Sequence, residues 1–93
     1  MRARVTLSMV LSLVDRLNAL TGSHPDAYSK NDAGTYRPNV GNYHVSRAYG
    51  GMALHRMGNE HGGITDVLHS GHVPARDLYD LIHAYIRGIE AGR

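Results

Sequence analysis

The sequence contains no cysteine, no phenylalanine and no tryptophan, and only one lysine among its 93 residues. The absence of cysteine excludes disulfide scaffolds, cysteine-ligated zinc, iron–sulfur clusters and thiol nucleophiles. Tyrosine is the only aromatic residue, so the core must be built mainly from aliphatic side chains. All other basic residues are arginines, which favour planar, bidentate contacts with anions over diffuse charge.

The length predicts a single domain over residues 1–93, with a thin core that self-association would supplement. The net charge of +2 is small for a protein that wraps a polyanion, so nucleic acid is not the expected partner. The apolar stretch 5–14 follows a basic start, as in a signal peptide, but Asp15 interrupts it. The stretch is also too short to span a membrane, so we expect a cytoplasmic protein without a membrane partner.

The segment 5–21 has the pattern of an amphipathic helix, because its apolar residues recur three or four positions apart. Gly22 supplies the stop signal, and Pro25 follows it. Met9 and Leu13 lie beside the main stripe, and this second apolar side predicts a homo-oligomer formed through the helix. The main stripe consists of Leu7, Val10, Leu11, Val14, Leu17 and Leu20.

The segment 74–91 predicts a second helix, with Pro74 as its first residue and Asp77 in its first turn. Its core stripe is predicted to be Leu78, Leu81, Ile82, Tyr85 and Ile89, with a softer stripe at Tyr79, His83 and Ile86. The polar segment 23–41, which is punctuated by proline, glycine and asparagine, predicts a long loop.

The segment 42–68 predicts antiparallel strands, since side chains of different character alternate from Tyr43 to Met57 and again from Ile64 to Leu68. Gly50 and Gly51 either form a two-residue hairpin turn or a bulge that leaves the backbone open to a ligand. The predicted fold class is α+β: an N-terminal helix, a small antiparallel sheet of two to three strands, and a C-terminal helix packed on one face. The opposite face would present tyrosine and arginine to solvent, a ligand or a subunit.

Seven histidines invite a metal or catalytic interpretation. His44 and His55 on neighbouring strands could face each other, and His69 and His72 lie three residues apart. Neither a helical His pair nor a helix-borne HExxH motif occurs, so no metal site is predicted. The acidic residues are dispersed, and no nucleophile elbow is present, so we do not expect an enzyme or a cofactor.

The tyrosines, arginines and glycines of the second half predict a site for a small phosphorylated ligand. Glycine-bearing turns can present backbone N–H groups to an anion, arginines can grip phosphates, and tyrosines can stack on a base. Asn59 can read a base edge or a ribose hydroxyl. The predicted ligand-binding residues are Tyr43, Arg47, Tyr49, Gly50, Gly51, Arg56, Asn59, His72 and Arg76.

Several short motifs over residues 42–92 resemble those of a known class of small proteins. They are Tyr49-Gly50-Gly51 with Leu54, Gly62-Gly63 before Asp66-Val67, Arg76-Asp77-Leu78-Tyr79, and Ala84 to Gly88. This half of the chain resembles small phage-encoded anti-defence proteins of the "sponge" kind, of the anti-CBASS and anti-Thoeris classes. The resemblance implies a small cytoplasmic oligomer in an infected host cell. It also implies that the protein sequesters a cyclic oligonucleotide or a cyclic ADP-ribose variant without cleaving it. By the same resemblance, Tyr49, Asn59 and Arg76 would be central, in a pocket often shared between subunits.

Three other functions are compatible with the sequence. The chain could be a structural or scaffold protein that acts through oligomerisation by its N-terminal helix. It could be a nucleic-acid-binding accessory protein, which the pI of about 9.2 favours and the single Lys30 opposes. It could also be an inhibitor that plugs a host enzyme.

Overall fold

The computed structural model describes residues 4–92, which form an α+β fold with two helices and two small antiparallel sheets. Helix α1 spans Leu7–Thr21, and helix α2 spans Ala75–Ala91. The strands are β1 (Tyr28–Lys30), β2 (Tyr36–Pro38), β3 (Tyr43–Ala48), β4 (Gly51–Met57) and β5 (Ile64–Asp66). Strands β1 and β2 pair with each other, and the second sheet has the order β3-β4-β5. Neither helix in this part of the chain has the length and apolar character needed to cross a membrane.

The ends of α1 follow from the residues that flank it. The Thr6 hydroxyl accepts a hydrogen bond from the Met9 backbone N–H, which would otherwise be unpaired at the start of the helix. Gly22 adopts a left-handed conformation (φ 70°), which confirms it as the residue that ends the helix. Helix α2 begins one residue later than expected, because Pro74 caps it with an extended backbone instead of forming its first turn.

Both helices pack on one face of the three-stranded sheet and against each other. Leu11 and Leu81, which were expected in the apolar stripes, are largely exposed; Leu13 and Ile86 are buried in their place. The helix surfaces that face the sheet are therefore rotated relative to the predicted stripes. The buried core consists mainly of Val10, Leu13, Val14, Leu17, Tyr43, Leu54, Leu78, Ile82 and Ile86.

The segment 23–41 is not the unstructured loop that its composition indicates, because β1 and β2 form a hairpin within it. The Asn31 side chain accepts a hydrogen bond from the Thr35 N–H and closes the turn between the two strands. Each strand has only three residues, so neither shows a run of alternating residues long enough to identify it. Strand β5 is also shorter than expected and ends at Asp66.

The face of the sheet that lies against the helices carries Tyr43, Val45 and Leu54, so the expectation that tyrosine lines the opposite face is wrong. Alternation places His44, Ser46 and His55 on the face away from the helices. Tyr43 belongs to the core, where its ring meets that of Tyr85 of α2 and its backbone pairs with the side chain of Asn18 of α1.

Candidate functional site

The predicted ligand-binding residues lie at two opposite ends of the β3–β4 ladder. Arg47, Tyr49 and Gly50 surround the turn that joins the strands, whereas Arg56 and Asn59 lie at or beyond the far end of β4. The seven residues of β4 separate these ends by roughly 20 Å. The single chain therefore does not bring Asn59 to Tyr49.

The turn between β3 and β4 consists of Tyr49 and Gly50, one residue earlier than the Gly50-Gly51 turn considered from the sequence. Both residues have left-handed backbones (φ 54° and 74°), and Ala48 pairs with Gly51 across the turn. This is a two-residue hairpin of the kind in which asparagine and glycine are favoured. A bulky side chain in this conformation costs about 1 kcal/mol. Tyr49 is nevertheless 97% exposed, so packing within the chain does not offset this cost.

Gly51 is not left open to a ligand, as the bulge considered from the sequence would have left it, because another part of the chain approaches it closely. The approaching group is the backbone of the chain itself: a Cβ atom on Gly51 would lie 2.9 Å from the His72 carbonyl carbon. Met52 and Val73 then exchange two backbone hydrogen bonds of 2.8 and 2.9 Å. The close approach fixes the segment that carries His72 beside the turn.

His72 contacts residues from both the turn and β3. Its Nε2 atom lies 3.0 Å from the Ser46 hydroxyl oxygen, at hydrogen-bond distance. Its ring meets the Tyr49 ring edge to face, with 5.7 Å between the ring centres. The loop before His72 is anchored because the Gly71 N–H donates to Oδ2 of Asp66 at 2.9 Å. His72 is thus the predicted residue that the fold places in contact with Tyr49.

His44 and His55 are cross-strand partners, as the alternation suggested, and their ring centres lie 6.0 Å apart. The His55 and His72 ring centres are also 6.0 Å apart, so the three side chains form a continuous line that we call the imidazole row. Burial lowers the pKa of His44, and the neighbouring His55 lowers it further. The Asn42 side-chain oxygen lies 3.1 Å from Nδ1 of His44 and orients that ring.

Arg47 lies on the opposite side of β3 from Ser46 and is exposed. With Ala48, Gly50, Gly51 and Met52 it lines a shallow open depression of about 340 Å³. Arg76 is half-buried in the first turn of α2, three residues after Val73, which pairs with Met52. Both arginines therefore belong to the turn end of the sheet.

At the other end of the ladder, the predicted residues make contacts within the chain. The Tyr43 side chain is only 3% exposed, and its hydroxyl lies 3.0 Å from that of Tyr85, so the ring is not placed to stack on a ligand. The guanidinium of Arg56 lies 5.1 Å from the centre of the Tyr43 ring, and Nε donates to the Gly41 carbonyl. The Asn59 side-chain oxygen accepts the His61 and Gly63 N–H groups, which shapes the turn before β5.

Burial of Tyr43 predicts a loss of stability at high pH. Burial, followed by the hydrogen bond to Tyr85, raises the pKa of Tyr43 to about 12 from its ordinary value of 10.0. The unfolded chain therefore ionises first, so this stabilisation is complete below pH 10 and is lost as the pH rises towards 12. We expect the free energy of unfolding to fall by about 1 kcal/mol more between pH 9 and pH 11 in the wild type than in Tyr43→Phe.

Urea titrations at the two pH values measure this difference. Tyr36→Phe is the matched control, because Tyr36 is 66% exposed, and its loss should leave the wild-type pH dependence unchanged. An equal fall in wild type and Tyr43→Phe would show that the Tyr43 hydroxyl ionises equally easily in both states.

Within residues 4–92, no group of three or more histidine and acidic side chains converges closely enough to hold a metal ion. Comparison with known proteins adds no assignment: no protein-family model, no curated protein and no solved structure matches the chain.

Proposed function

We propose that this protein binds a small phosphorylated ligand that carries a flat ring, at the turn end of the β3–β4 ladder, and does not cleave it. A cyclic nucleotide is the ligand class that the resemblance to phage sponge proteins indicates, and sequestration of such a signal is the role proposed here. The observation that carries the proposal is Tyr49, an almost fully exposed ring held in a left-handed turn.

Tyr49 supports the proposal because both its exposure and its backbone are unfavourable for the free protein. Asparagine at this position would suit the turn better and would remove an exposed aromatic surface. A ring that projects from a rigid hairpin is a suitable surface for stacking, and base stacking on an aromatic side chain contributes about 1–3 kcal/mol per base. The His72 ring stands edge-on to the Tyr49 ring, with 5.7 Å between the ring centres.

The groups around Tyr49 suit a phosphate. Arg47 supplies a permanent positive charge, and Arg76 lies nearby at the start of α2. His72 can donate a hydrogen bond from its ring, and Ser46 steadies it from β3. Arg47 and His72 lie on opposite faces of the sheet, so a ligand that curls around the hairpin tip would contact both.

The proposal of binding without cleavage also has a structural argument. Ser46 and His72 form a hydroxyl–imidazole pair, but in the described chain no carboxylate hydrogen-bonds the second ring nitrogen of His72. A serine nucleophile needs its histidine oriented by such a third group. The pair therefore serves here as a binding element.

Tyr49→Asn tests the proposal, because binding and stability should change in opposite directions. We expect affinity for the ligand to fall at least tenfold, since the stacking surface is lost. The free energy of unfolding should rise by about 0.5–1 kcal/mol, since Asn-Gly suits the left-handed turn. Native mass spectrometry with cyclic di- and trinucleotides and cyclic ADP-ribose isomers identifies the ligand, and calorimetry then measures the affinities.

Tyr36→Asn is the matched control, because it removes another exposed tyrosine from a different hairpin and should leave affinity unchanged. Arg47→Ala paired with Arg37→Ala makes the same comparison for exposed arginines. If no member of the panel binds, or if Tyr49→Asn binds as tightly as the wild type, the proposed function is wrong.

The same mass spectra report the oligomeric state. Self-association through α1 remains a prediction, but the second apolar side on which it rested is covered by the chain itself, because Leu13 belongs to the core and Met9 packs against it. Leu11, 44% exposed, is the apolar residue of that helix that still supports it. A dimer would also present two hairpin tips, which is compatible with a ligand that has two phosphates.

A further inference from the structure

We infer that the imidazole row His44–His55–His72 is a phosphate-binding part of this site in addition to Arg47, and that it takes up a proton when a phosphate binds. The inference deepens the proposed function and rests on it for the remainder of the ligand. It adds His44 and His55 to a site in which the sequence placed only His72.

The row is an arrangement of three side chains from three separate segments. His44 comes from β3, His55 from β4 and His72 from the loop before α2, and consecutive ring centres are 6.0 Å apart. All three rings are half-buried on the sheet face away from the helices. His72, at one end of the row, contacts the Tyr49 ring. A phosphate bound to the row would therefore lie beside the flat ring of a ligand that stacks on Tyr49.

The ring nitrogens of the row are available to a ligand. Across residues 4–92, His55 has ring contacts only, and His72 uses a single nitrogen, which contacts Ser46. The only fully buried side-chain nitrogen or oxygen without a partner in this part of the chain is Oδ1 of Asp66. The unpaired nitrogens of His55 and His72 therefore reach the surface, where a phosphate oxygen can accept hydrogen bonds from them.

The charged and titratable groups that face the row decide which ring takes up the proton. Asp66 on β5 is the cross-strand partner of His55. Its Oδ2 accepts the Gly71 N–H and its buried Oδ1 has no partner, so a carboxylate lies on the same sheet face as His55. The phenol of Tyr49 faces His72, and the neutral Asn42 and Ser46 side chains contact the two ends of the row. Burial and the neighbouring His55 lower the pKa of His44, which disfavours a proton on that ring. We therefore expect the proton on His55 or His72.

Protonation and phosphate binding must favour each other. An imidazolium donates from both ring nitrogens and carries a positive charge, whereas neutral imidazole donates from only one. Histidine changes its charge between about pH 5 and 8, which places the effect in an accessible range. Because the bound state holds more protons than the free state, affinity for a phosphodiester should rise at least fivefold from pH 7.5 to pH 5.5.

Two measurements test this inference with the intact chain. First, dimethyl phosphate, whose charge is constant over this pH range, is added while the histidine rings are titrated by NMR. The pKa of His55 or His72 should rise, and that of His61, an exposed histidine in the turn before β5, should not. Second, calorimetry with cyclic di-AMP in buffers of different ionisation enthalpy counts the protons taken up at pH 6.5. At least one of the variants His55→Gln and His72→Gln should reduce the pH dependence of the affinity at least threefold, and the control His61→Gln should retain it.

The outcomes separate this inference from the proposed function. Tight cyclic di-AMP binding with no proton uptake and no pH dependence would overturn the inference and leave the proposed function standing. A dimethyl phosphate effect on the row without binding of any nucleotide would support the inference and contradict the proposed function. Failure of both measurements would overturn both. If a variant does not fold, the ring titration of the wild-type chain still decides.

Discussion

Replacement of Asn18 by alanine is expected to lower the free energy of unfolding by about 3 kcal/mol. Asn18 is buried in α1, and its side-chain amide makes two hydrogen bonds with the backbone of Tyr43, at 2.8 and 2.9 Å. The amide thus pairs with the outer edge of β3 as a neighbouring strand would. Alanine would leave a buried N–H and a buried C=O without partners, and each unpaired group costs about 1–3 kcal/mol. Urea denaturation followed by circular dichroism measures the loss.

Asn31→Ala is the matched control for this prediction. The Asn31 side chain also accepts a backbone N–H, from Thr35, but it does so in an exposed turn where water can replace it. We expect this variant to lose less than 1 kcal/mol. Similar losses in the two variants would mean that the contact between α1 and β3 is not stabilised by the buried amide.

Gly51→Ala is expected to destabilise the protein by about 2–3 kcal/mol. The backbone conformation of Gly51 is not left-handed, so the cost arises from the space that the added methyl group would occupy. That group would meet three backbone atoms of His72 and Val73 within 3.0 Å, and backbone cannot be moved as easily as a side chain. The segment would have to shift, which would break the Met52–Val73 pair and move His72 away from Ser46.

Gly88→Ala provides a control of opposite sign. Gly88 lies inside α2, and a Cβ there would meet nothing within 4 Å, so alanine should stabilise the helix by about 0.5–1 kcal/mol. Thermal melts of both variants, with NMR of the His72 ring, test the prediction. A stable Gly51→Ala variant with an unchanged His72 resonance would show that the segment 72–73 does not depend on this close approach.

The helices and the β3–β4 hairpin were predictable because each has a long periodic signal. The fifteen residues of α1 and the seventeen of α2 repeat an apolar pattern several times. Gly22 marks the end of α1, where the backbone is left-handed and few residue types are tolerated. The rotation of each helix was not predictable, since Leu11 and Leu13 are equally apolar and only the packing partner selects between them. The three-residue strands β1 and β2 are stabilised by pairing, which a single sequence does not display.

The candidate site could be predicted only in part, for related reasons. The alternation of side chains along two neighbouring strands indicated that His44 and His55 could face each other. The contact of His72 with Tyr49 depends on a loop that folds back onto Gly51, and no local pattern encodes it. Asn59 was interpreted as a ligand contact because its amide can read a base edge or a ribose hydroxyl, yet its side chain accepts two backbone N–H groups of its own turn. The buried amide of Asn18 left no signal in the sequence, since it differs from an exposed asparagine only by its surroundings.

The packing of α1 against α2 has a consequence for how the chain acquires its structure. The Arg16–Glu90 ion pair joins positions 74 residues apart, and the apolar side of α1 meets that of α2 in the same core. Contacts between distant parts of a chain slow folding, because a long loop must be closed before any of them forms. The β3–β4 hairpin, whose strands are joined by two residues, closes the shortest loop. It is therefore the natural first element, and the helices assemble on it afterwards.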